Sequence, residues 1–138
     1  MRLNGRHAFW FAVLALTTVL TTTGFAQSVA LKRVMQQKLE HSQLILASVV
    51  TSNWAEMERH SRSLLDLTND PAWIALKTPE YSKQSQAFVR AAEDLVDAAR
   101  RKDGDAAPLA YVSMTLACVQ CHRYVARARV ATGRGREQ

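Results

Sequence analysis

Two cysteines three positions apart, with a histidine directly after the second, form the segment Cys118-Val119-Gln120-Cys121-His122. That spacing is the attachment signature of a c-type haem. Each thiol adds across one vinyl group of the porphyrin to give a thioether, and the adjacent imidazole reaches the iron. On an α-helix, steps of roughly 100° hold Cys118, Cys121 and His122 within about a third of the circumference. One helical face therefore offers both thioethers and the proximal ligand, with His122 binding as neutral imidazole.

Other uses of the motif are disfavoured by the rest of the chain. The sequence contains two cysteines, both in this segment. A structural zinc site usually takes four Cys/His ligands, and His7, His41 and His60 do not supply a histidine pair at zinc-type spacing. A thioredoxin-like pair needs a βαβ setting, whereas this chain shows helical periodicity and no useful length of strand-like alternation.

The first 26 residues read as a cleaved secretory leader. Arg2 and Arg6 give a positive start, and Ala8 to Leu20 is an apolar stretch short of the roughly 20 residues a membrane span needs. Gly24-Phe25-Ala26 places small residues where a signal peptidase reads them, so cleavage is expected before Gln27. The expected address is the bacterial periplasm, where covalent haem attachment takes place and where bare thiols would oxidise. With 18 Lys+Arg against 12 Asp+Glu the full chain carries +6. Loss of the leader's two arginines reduces this, and two haem propionates would reduce it further. An exported address makes nucleic acid an unsuitable partner, and no stable membrane insertion is expected after cleavage.

Helical periodicity defines the elements that must position the motif. The first helix is expected from about Ser28 to Val50, with Leu31, Val34, Met35, Leu39, Leu46 and Val49 as its apolar positions. Asn53 followed by Glu56 three residues later resembles a capping box and starts a second helix to about Leu67. The connection through Asn69-Asp70-Pro71 carries Trp73, Ile74 and Leu76, apolar enough to pack on the bundle. Thr78-Pro79-Glu80 starts a third helix, whose Tyr81, Ser85, Phe88, Ala92, Leu95 and Ala99 form one seam. Asp103-Gly104-Asp105 is read as a turn with Gly104 ending that helix and Asp105 capping the next. The fourth helix is expected from about Ala106 to Val130. One stripe carries Tyr111, Met114, Cys118, Cys121, His122 and Val125. A second, Leu109, Val112, Leu116 and Val119, is expected to pack against neighbouring helices. The sequence thus divides into a leader (1–26), one all-α domain (27–131) built as an antiparallel four-helix bundle with covalently bound haem c, and a flexible tail (132–138).

With the motif on the last of four helices, the chain resembles the class II c-type cytochromes, the cytochrome c prime family, over essentially the whole mature length. The resemblance implies one haem c per chain, attached to the fourth helix and faced by a distal residue from the first. Lys32-Arg33-Val34-Met35 is similar to the low-spin, methionine-ligated version, which makes Met35 the distal ligand and cofactor contact. His41 is the rival, but six positions further on it lies about 240° around the helix, so the two do not face one iron together. His60, between Arg59 and Ser61, is expected at the surface. Many members of the family carry a basic residue four positions after the haem histidine; here that position is Ala126, with Arg123 and Arg127 nearby.

The expected function is electron transfer rather than enzymatic turnover, with histidine–methionine ligation raising the potential. Arg123, Arg127 and Arg129 suit a weakly docked acidic redox partner protein. A five-coordinate haem that binds NO or CO opposite His122 is the alternative. A peroxidase would need placed acid–base groups, which Arg33 and Gln36 do not supply. The family's frequent dimerisation through its first two helices makes a homodimer possible.

Overall fold

The capping residues set the helix starts. Asn53 Oδ1 accepts a hydrogen bond from the Glu56 amide at 3.3 Å, and Thr78 Oγ1 accepts from the Tyr81 amide at 3.2 Å with Pro79 at the first helical position. In the computed structural model, which describes the backbone of residues 5–134 and the side chains of 27–131, these caps open two of four α-helices. The helices are α1 (Gly5–Val50), α2 (Trp54–Leu67), α3 (Pro79–Arg101) and α4 (Ala106–Arg134), with a 3-10 turn at Pro71–Trp73. Successive helices pack antiparallel, α1 on α2, α2 on α3 and α3 on α4. The chain is all-α.

The capping box is half made. Glu56 does not turn back to Asn53, whose amide donates instead to the Ser48 carbonyl at 2.9 Å; the Glu56 carboxylate pairs with Arg59 and His60. The turn after α3 also differs from expectation. Lys102 takes the left-handed conformation at φ 53°, and the amides of Lys102 and Asp103 donate to the carbonyls of Ala99 and Ala98. That is a Schellman closure, one that ends α3 two residues before Gly104. Asp103, not Asp105, then caps α4, its Oδ1 accepting from the amides of Asp105 and Ala106 at 3.1 and 2.9 Å. Ser52 closes α1 in the same left-handed manner.

The α1 helix extends unbroken from Gly5, upstream of the expected start at Ser28. The expected cleavage point falls within this helix, and the side chains of the proposed leader lie outside the described residues. Among the described residues no helix is long and apolar enough to cross a membrane.

The core is built on the α3 seam. Tyr81, Phe88, Ala92, Leu95 and Ala99 are buried as the periodicity requires, together with Met57 and Leu64 of α2 and Met114 of α4. The inward face of α1 is the expected one in part: Val34 is buried and Met35 and Val49 pack against the core. Val34, Lys38, Ile45 and Ser48 are buried, while Leu39 and Leu46 point to solvent. Spacings of four, seven and three residues keep those four positions on one face, so the apolar residues 39 and 46 belong to the opposite side. His60 is buried, contrary to its expected surface position. The connection packs down through Trp73, whose indole Nε1 donates to Ser85 Oγ at 2.6 Å, while Ile74 stays exposed.

Candidate cofactor site

The ends of the chain, α1 and α4, meet only slightly, and a cleft of about 500 Å³ opens between them. Leu31 and Met35 of α1 form one wall, and Cys121, His122 and Val125 of α4 form the other. Tyr81 of α3 closes the floor, its hydroxyl donating to the Trp73 carbonyl. Lys32 and Arg129 stand among the lining residues, one on each helix. Near the motif, Tyr124 OH and Thr78 Oγ1 lie 2.8 Å apart and tie α4 to the start of α3.

The cleft brings together three of the four residues singled out from the sequence: Met35, Cys121 and His122. Cys118, one turn earlier on α4, packs against the hydrophobic core instead and does not line the cleft. Both cysteines are free thiols and half-buried. His41 is outside the cleft altogether. It faces α2, with its Nδ1 3.0 Å from Nδ1 of His60.

Lys38 was not legible as part of this site. Its side chain is 7 % exposed, and its Nζ lies 3.9 Å from the centroid of Phe88 and 4.7 Å from that of Trp73. Cation–π contact with two rings compensates part of the loss of water. Burial pulls the ammonium below the usual lysine range; the Cys118 and Cys121 sulfurs oppose that shift, Cys118 also by a hydrogen bond. In return Lys38 draws the Cys121 thiol down, although burial dominates and pushes that thiol above its ordinary value. The His122 ring, partly exposed at the cleft wall, is held below the ordinary histidine value, first by burial and then by Lys38. Its neutral form, the one that ligates metals, is therefore the form present at neutral pH. The signal for Lys38 was available in its register with Val34, Ile45 and Ser48, but a lysine in that register reads as a solvated break in an apolar face.

Part of the donor set suits a c-type haem: Cys121 and His122 stand at the cleft on one helix and the Met35 thioether on the facing helix, between largely apolar walls. Cys118 does not suit it as placed, since its thiol is turned to the core and to Lys38, and attachment there requires that side chain to turn toward the cleft. The volume is within the ~300–1,000 Å³ usual for cofactor pockets, and the cations Lys32 and Arg129 suit carboxylates. Among the described residues no three His, Cys, Asp or Glu side chains are grouped to hold a metal ion by themselves. No family model, curated protein or solved structure matches the chain.

Proposed function

We propose that the chain is a periplasmic c-type haem protein that carries electrons, with the haem bound covalently at Cys118 and Cys121, His122 as proximal ligand and Met35 as distal ligand. The observation that supports this most is the convergence of Met35 from α1 with Cys121 and His122 from α4 on one cleft. Haem iron, when bound there, supplies a ferrous–ferric couple. His122 presents a neutral imidazole because burial and Lys38 both disfavour its protonated form. Met35 offers a soft thioether sulfur from the opposite wall. Leu31 and Val125 keep water from the interior of the cleft, and Lys32 and Arg129 supply positive charge for the propionates. Arg123 and Arg127 continue the basic surface along α4, where an acidic redox protein would dock weakly. His122 and Met35 would hold the iron from the two walls of the cleft, and the chemistry the group would supply there is one-electron transfer.

The test is spectroscopic. Expressed with a c-haem maturation system, the protein is expected to retain its haem in acidified butanone and to give a low-spin ferric spectrum with a methionine–iron charge-transfer band. Met35→Ala is expected to lose that band while the haem stays attached. A haem that extracts into butanone refutes the thioethers. A high-spin ferric spectrum with ready CO binding on reduction, unaltered by Met35→Ala, transfers the chain to the five-coordinate, gas-binding reading.

A further inference from the structure

The second stripe of α4 does not pack against its own bundle. Leu109, Val112, Leu116 and Val119 are 70 %, 54 %, 54 % and 48 % exposed. Their spacing of three, four and three residues is a coiled-coil seam. By helical geometry they lie about 180° from the face that carries Met114, Ala117 and Cys118 into the core. The α4 helix thus has two apolar faces, and its own fold uses one.

The residues that bracket the exposed face carry opposite charges. Asp105, in the turn immediately before α4, precedes Leu109 by four residues, and Arg123 follows Val119 by four, so that the two bracket the seam at either end. An antiparallel pair of such helices centred on residue 114 would set Leu109 opposite Val119, Val112 opposite Leu116, and Asp105 opposite Arg123. Every apolar residue of the seam then meets an apolar residue, and each end meets its opposite charge. The flanking positions Ser113, Thr115 and Gln120 carry no charge to oppose the approach. Beside Leu109 the groove between α3 and α4 adds Asp94 and Asp97 against Arg101, a net acidic surround for the incoming arginine, with Arg90 further along beside Leu116. A parallel pair would instead set Asp105 against Asp105 and Arg123 against Arg123.

We infer that this face of α4 is a dimerisation surface, and that its partner is a second copy of the same chain in antiparallel, two-fold arrangement. The contact is independent of what the cleft holds, since the seam and the cleft occupy different parts of the α4 surface.

Sedimentation velocity of the purified mature protein over a concentration series tests the inference. A reversible dimer is expected, with Leu116→Glu sedimenting as a monomer of unchanged helical circular dichroism. Asp105→Arg and Arg123→Asp are each expected to raise the dimer dissociation constant about tenfold, and the double exchange to restore it. Single charge reversals without effect would overturn the antiparallel pairing. A wild-type monomer at all concentrations would overturn the inference, as would a dimer that survives Leu116→Glu and is lost in Leu39→Glu on α1. Binding of the wild type, but not Leu116→Glu, to phosphatidylglycerol vesicles with no dimer in solution would assign the face to a lipid surface instead.

Discussion

His41 and His60 join α1 to α2 through two ring nitrogens 3.0 Å apart, one of which donates to the other. His60 Nε2 faces both the Arg59 guanidinium at 3.1 Å and the Glu56 carboxylate at 3.3 Å, and with both histidines neutral a single proton occupies the Nδ1–Nδ1 contact. Below the ordinary histidine pKa the arrangement is opposed: burial first, then Arg59 and His41, hold His60 below its usual value, and Glu56 only partly offsets them. The unfolded chain takes up that proton at about pH 6.5, the folded chain only at lower pH. The unfolded state thus binds more protons in this interval, and the stability present above about pH 6.5 is lost as pH falls, by at most ~1.4 kcal/mol per pH unit for one group. At pH 7.5, His41→Ala removes one partner and leaves the buried His60 Nδ1 unpaired, which costs about 1–3 kcal/mol. Urea unfolding of wild type, His41→Ala, His60→Gln and the double variant at pH 7.5 and 5.5 measures both effects. His60→Gln is expected to flatten part of the acid loss seen in wild type, and the neutral-pH cycle to show a coupling of about 1 kcal/mol. If wild type and His60→Gln lose stability in parallel between the two pH values, the protonation argument is wrong.

Three further outcomes are expected in the same unfolding assay. Lys102→Gly relieves a left-handed lysine at the end of α3 and should stabilise by about 1 kcal/mol; a loss of stability would mean that the side chain contributes more than its backbone conformation costs. Ser61 Oγ is fully buried and has no hydrogen-bond partner among the described residues, so Ser61→Ala should gain about 1 kcal/mol as a higher urea midpoint. Lys38→Met exchanges a buried ammonium for an apolar chain of similar length and should be neutral or stabilising by up to a few kcal/mol. It should also remove a rise of stability as the pH is raised toward the normal lysine pKa, since the unfolded chain there holds the proton more firmly than the folded one.

What could be read in the sequence followed from how local each signal is. Thr78-Pro79-Glu80 and the seam from Tyr81 to Ala99 involve neighbours on one helix, and α3 forms as they dictate. The inner face of α1 could not be read that way. Lys38 and His41 occupy it because Trp73, Phe88 and His60 from other elements supply them with rings and a ring nitrogen. No window of α1 contains those partners. Gly104 likewise looked like the end of α3, but Lys102 closes the helix once the carbonyls of Ala98 and Ala99 are paired. At the site, spacing picked out Cys121 and His122 and the family resemblance picked out Met35, and the three share the cleft. The inward turn of Cys118 toward Lys38 depends on how α1 docks and leaves no mark in the pentapeptide.

The walls of the cleft come from the first and the last of the four helices, and Met35 and Cys121 are 86 positions apart in sequence. The α2 and α3 helices lie between them in sequence, and each wall is docked mainly on one of these two. If haem is attached at both thiols, the Cys118 sulfur must be reached before α1 settles and Lys38 is drawn over Phe88. The slight contact between α1 and α4 leaves the first helix held mainly by α2, so that a hinge of α1 on α2 opens the cleft while the α3–α4 pair stays packed.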